Sequence, residues 1–89
     1  MKDEKKVAEL LAEVTRQMDA LMNDTSVPKN VRSTISQARQ KLDSQADFII
    51  KISEAIYSMD SVSNDINLPP QARTAIWSIL SMLESIKTS

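Results

Sequence analysis

The residues whose types and spacing best suit specific chemistry are Asp24 with Arg32 and Asp65 with Arg73, because the pair occurs twice with identical separation. A carboxylate suits the forked donors of a guanidinium. Each Asp can therefore brace a turn while the Arg ties down a loop, or the two pairs can form symmetry-related binding sites. Duplication in both halves argues for the structural job. A second set, Glu13, Asp19, Glu54 and Asp60, invites comparison with carboxylate metal centres in helix bundles. Those centres use Glu-x-x-His pairs, and the chain has no histidine. An all-carboxylate magnesium or calcium site would need a supporting loop, and none is legible, so no metal is expected. A third set, Lys29, Arg32 and Arg39, falls along one helical stripe. It is a candidate anion-binding stripe beside a helix N-terminus, suited to RNA, a phosphorylated ligand or an acidic partner helix. No aromatic residue is interleaved with it for base stacking. A solvated face, or one answering acidic helices, is the competing reading.

Absent residue types exclude much else. Without histidine or cysteine there is no usual general base, thiolate site, disulfide or redox couple. Without glycine, phosphate-cradling loops and dinucleotide fingerprints are excluded. No serine has a histidine to activate it, and no motif points to a serine with a lysine base. The reading is a chain that is not an enzyme and holds no cofactor.

The Asp and Arg pairs belong to a longer repeat. Asn23, Asp24, Val27, Pro28, Arg32 and Ile35 recur 41 residues on as Asn64, Asp65, Leu68, Pro69, Arg73 and Ile76. Each copy follows an apolar-periodic run containing Met-Asp, at Met18 and Asp19 and at Met59 and Asp60, and precedes another. Helix, turn, helix is thus present twice. Val7, Leu10, Leu11, Val14, Met18, Leu21 and Met22 predict an amphipathic helix over about residues 4–22. Asn23 to Ser26 are residues whose side chains compete for backbone bonds, so a turn falls there. Pro28 opens a helix over about 28–43, with Val31, Ile35, Ala38 and Leu42 inward.

The next break has no Pro or Gly to force it. Asp43 or Ser44 is the expected N-cap, with Asp47 in the first turn; one continuous long helix is the alternative. The third helix, about 45–63, presents Phe48, Ile49, Ile52, Ala55, Ile56, Met59 and Val62. Pro69 and Pro70 open the fourth, which carries Ala72, Ile76, Ile79, Leu80, Leu83 and Ile86 and ends near Lys87.

The sequence therefore predicts one all-α domain, residues 1–89, folded as an up-and-down four-helix bundle of two similar hairpins, about 4–43 and 45–87. An open HEAT-like pair is the alternative, although solenoids usually need more than two repeats. A chain of 89 residues buries roughly 60 to 65% of its unfolded surface, so the core is thin. Charged residues are 26% and apolar ones 42%, ordinary for a soluble globular protein. The net charge of -1 is segregated: residues 27–42 carry +4, residues 1–26 carry -2 and residues 43–89 carry -3. A charged start and the lack of a long apolar run predict a cytoplasmic protein with no membrane span.

Trp77 sits off the centre of the fourth helix's stripe, within helical range of Arg73 and near Leu80 and Met82. A Trp at the border of a core often marks a contact surface. Trp77, Leu80 and Met82 are accordingly a candidate interaction face, with core filling as the rival reading for Trp77. The expected partner is a second copy of the chain, in a dimer, or another protein; RNA or ribosome association through the basic second helix is the alternative.

The doubled Asn-Asp-x-x-x-Pro segment, and especially Asn64 to Arg73, resembles a family of small archaeal proteins catalogued as uncharacterised protein family 0147. The resemblance spans essentially the whole chain: the charged first helix, both Pro-opened helices and the Leu-Pro-Pro-x-x-Arg segment. It implies an up-and-down four-helix bundle and an archaeal cytoplasm, and carries no functional residues.

Overall fold

A computed structural model describes residues 4–88; residues 1–3 and 89 of the expected domain lie outside the described residues. Four helices follow one another: α1 (Glu4–Met22), α2 (Lys29–Leu42), α3 (Phe48–Ser63) and α4 (Pro70–Thr88). Each packs on its neighbours in sequence, and α1 closes against α4. That closure makes a ring around one core, a four-helix bundle rather than an open HEAT-like pair.

The repeat explains the ring. Val14 and Ala55, Met18 and Met59, Leu21 and Val62, Val27 and Leu68, Val31 and Ala72, Ile35 and Ile76, Ala38 and Ile79, and Leu42 and Leu83 are equivalent pairs. Both members of every pair are buried. Each hairpin therefore presents the same apolar stripe, and the two stripes cover each other about a pseudo-twofold axis. Ile52 and Ile86 complete the buried apolar set.

The two repeated turns are built alike. Asn23 Nδ2 donates to the Asp19 carbonyl at 2.9 Å, and Asn64 Nδ2 to the Asp60 carbonyl at 3.5 Å, each over the last turn of a helix. Asp24 Oδ1 accepts from the Ser26 amide at 2.9 Å, and Asp65 Oδ1 from the Asn67 amide at 2.8 Å. These are Asx turns, in which the side chain replaces a backbone acceptor. Among the described residues none has positive φ, so the bundle turns its corners without the conformations that favour glycine.

The junction between α2 and α3 is a true break, but its cap differs from the expectation. Asp43 closes α2 with φ -85° and ψ -5°, and Asp47, not Asp43 or Ser44, caps α3. Its Oδ1 accepts from the amides of Ile49 at 3.0 Å and Ile50 at 3.3 Å. The helix consequently starts at Phe48 rather than near residue 45. Ser44 is occupied elsewhere, its hydroxyl donating to the Lys41 carbonyl at 2.7 Å.

Candidate functional site

The duplicated turn residues are structural in their contacts. Arg32 Nε donates to the Val27 carbonyl at 3.1 Å, and Arg73 Nη2 to the Asp65 carbonyl at 3.1 Å. Each Arg thus folds back over the turn that precedes its own helix, while Pro28 and Pro69 stand at the helix entrances. Neither Arg forms an ion pair with the Asp of its turn; the loop carbonyls take the guanidinium donors instead. The Ser26 hydroxyl and amide hold the Asp24 carboxyl below its ordinary range, with a smaller contribution from the Arg32 charge.

The basic stripe of α2 is largely engaged. Arg39 reaches Asp19 on α1 at 3.1 Å and Asp43 at 2.5 Å, and Lys41 reaches Glu54 on α3 at 3.5 Å. Arg32 is held by its turn, which leaves Lys29 as the exposed member of the three expected anion ligands. The acidic set is dispersed in the same way. Glu13 binds Arg16 and Gln17, Asp19 binds Arg39, and Glu54 binds Lys41. Hydrogen bonds from Arg16 and then Gln17 pull Glu13 from 4.5 to about 2. Among the described residues no group of three or more acidic side chains could hold a metal ion.

Two surface depressions accompany these features. One of about 220 Å³ lies between α1 and α4, lined among others by Gln17, Ala20, Ala72 and Ala75. The buried Gln17 Oε1 has no hydrogen-bond partner. The other, about 400 Å³, is lined by Glu4, Val7, Ala8, Leu11 and Phe48 at the start of α1 and α3.

The most informative surface is the seam between α3 and α4. Among the described residues, every large apolar side chain that the bundle leaves exposed lies in the second hairpin: Ile49, Ile50, Tyr57, Ile66 and Trp77. Their equivalents 41 positions earlier are Ala8, Glu9, Arg16, Thr25 and Ser36, all small or polar. Helical geometry turns two of the five, Ile49 and Trp77, toward the seam between α3 and α4. On α4, Ala75 lines the groove with α1, and Trp77 is about 160° round the helix from it, toward α3. On α3, Glu54 faces α2 through Lys41, and Ile49 and Ile56 lie about 140° and 160° away, toward α4. Leu80 occupies the position of Arg39 in the repeat, and Arg39 spans the equivalent seam between α1 and α2.

One seam is therefore laced by the Asp19, Arg39 and Asp43 ion pairs, and its counterpart carries Ile49, Ile56, Trp77 and Leu80. Asp60 is the equivalent of Asp19 and Leu80 that of Arg39, so the second hairpin has no Arg at this position, and Asp60 makes no ion pair among the described residues.

Trp77 is 57% exposed, so it is not core filling, and half-buried Leu80 stands beside it. Met82 does not join them. It is five residues from Trp77, about 140° around the helix, on the Ala75 flank that faces α1. Ile49, expected in the core stripe, is 43% exposed. The missed signal was in the chain itself: aligning the two hairpins singles out the apolar positions that the fold does not require.

A closed four-helix bundle of two equivalent hairpins, with an ion-paired seam on one side and an apolar seam on the other, is the class these features define. The chain belongs to the uncharacterised protein family UPF0147, whose sequence pattern it matches over residues 1–86. It is 39% identical to a UPF0147 protein of Methanocaldococcus jannaschii over 94% of this chain and 91% of that one. It is 37% identical to one of Archaeoglobus fulgidus over 85% and 87%. The bundle superposes with a TM-score of 0.88 on the crystal structure of a UPF0147 protein from Thermoplasma acidophilum. Those two chains are 30% identical, with 92% of this chain and 98% of that one covered.

Proposed function

We propose that this protein is a non-enzymatic helical interaction module that self-associates through the seam between α3 and α4, in the cytoplasm of an archaeal cell. One observation carries the reading: hairpin 2 exposes large apolar side chains where hairpin 1, in the same fold, has polar or small ones. Folding does not demand them, since hairpin 1 packs without them. Exposed large apolar side chains that the fold does not require point to a contact surface, and Trp is enriched among the residues that dominate binding. Association through RNA has less behind it, because Arg39 and Lys41 are engaged by carboxylates and Arg32 by its own turn.

The test uses Trp77, the single tryptophan, as both target and reporter. Light scattering on gel-filtered protein should give a dimer at high micromolar concentration, and its dilution should shift the Trp77 emission to the red. Trp77→Asp should give a monomer with unchanged far-ultraviolet circular dichroism. A wild-type monomer throughout that range would sink the self-association reading. Salt-sensitive retention on an RNA column would move the assignment to the basic helix.

A further inference from the structure

Resting on the self-association reading, we infer that the second copy docks antiparallel, α4 against α4, with a twofold axis between Trp77 and Leu80. Arg73, Trp77, Leu80 and Glu84 recur at alternating spacings of four and three along α4, the rhythm of a helix seam that packs on another helix. The stripe is basic at one end, apolar in the middle and acidic at the other. Arg73 and Glu84 stand equidistant from the midpoint of Trp77 and Leu80, so the stripe is its own complement when reversed.

An isologous contact requires this property, because the same patch must face itself. Antiparallel packing places Trp77 against the partner's Leu80, and Arg73 against the partner's Glu84, twice over. Parallel packing would set Arg73 against the partner's Arg73 and Glu84 against the partner's Glu84, and like charges across a seam oppose association. The groups are available. Glu84 is exposed and makes no ion pair among the described residues. Arg73 uses Nη2 for the Asp65 carbonyl, which leaves further guanidinium donors for a carboxylate. Hairpin 1 has no such stripe: the equivalent positions are Arg32, Ser36, Arg39 and Asp43, and Arg39 and Asp43 are already paired with each other.

The experiment compares dimer dissociation constants of the full chain, by sedimentation and by Trp77 emission. Glu84→Arg should weaken the dimer by about tenfold or more, about 1.4 kcal/mol, because two attractive contacts become repulsive. Arg73→Glu should do the same. An equimolar mixture of the two variants should recover wild-type affinity, since each heterodimer then holds two opposite-charge pairs. Should Arg73→Glu lose helicity, Glu84→Arg decides alone, because Glu84 makes no side-chain ion pair among the described residues. A wild-type dimer indifferent to Glu84→Arg would overturn the antiparallel register while leaving the interaction face standing. A wild-type monomer would remove both.

Discussion

Asp47→Ala tests how the second hairpin is started. Asp47 Oδ1 accepts from two amides at the head of α3, Ile49 at 3.0 Å and Ile50 at 3.3 Å. Losing an N-cap carboxylate costs about 0.5 to 2 kcal/mol, and its negative charge at the helix N-terminus contributes about 0.3 to 1 kcal/mol of stabilisation. We expect Asp47→Ala to lower stability by about 1.5 kcal/mol. Asp47→Asn keeps the acceptor and loses the charge, so its cost is about 0.5 kcal/mol.

Asp43→Ala is the control. Asp43 is 69% exposed and pairs with Arg39, which retains Asp19; such a surface pair is worth about 0 to 1 kcal/mol. A chain of 89 residues has a total stability of about 4 to 13 kcal/mol, so the Asp47 effect is a readable fraction. Urea unfolding followed by circular dichroism is the assay. With a slope of about 1 kcal/mol per molar, the Asp47→Ala midpoint should fall by about 1.5 M. An Asp43→Ala effect equal to or larger than the Asp47→Ala effect would refute the assignment of Asp47 as the cap.

Two further expectations concern the core and the surface. Ile35→Ala and Ile76→Ala, at equivalent and fully buried positions, should each cost about 2 to 5 kcal/mol. Calorimetry should show one unfolding transition in both variants, and a cost below about 1 kcal/mol for either would contradict a shared core. Glu13, held at about 2 by Arg16 and Gln17, contributes stability that is present above 4.5 and lost as pH falls through about 2. Arg16→Ala should move its midpoint toward 4.5 in a carboxyl-carbon NMR titration; an unmoved midpoint would exclude Arg16 as the main cause.

Much of the fold was legible because helix periodicity is a local property. The apolar spacing from Val7 to Met22 and the Pro28 and Pro69 entrances located three helices closely. The start of α3 was misplaced because Asp43, Ser44 and Asp47 all have capping side chains. Which of them caps depends on how Ser44 and Asp43 are used in the preceding turn. For the candidate site, Trp77 and Leu80 could be singled out from the fourth helix alone. The flank of Met82 was also available from its five-residue separation, but grouping by proximity in sequence concealed it.

The sequence by itself determined the helical class and the two-hairpin repeat, because helical periodicity and the 41-residue recurrence are properties of the chain alone. Tertiary structure alone decided that α1 closes on α4, that Arg39 answers Asp19 across a seam, and that 57% of Trp77 remains in contact with solvent. An amphipathic pattern specifies which stripe of a helix turns inward, but its two flanks are equivalent until neighbours are placed. Only the packing of four helices into a ring assigns one flank of α4 to α1 and the other to α3.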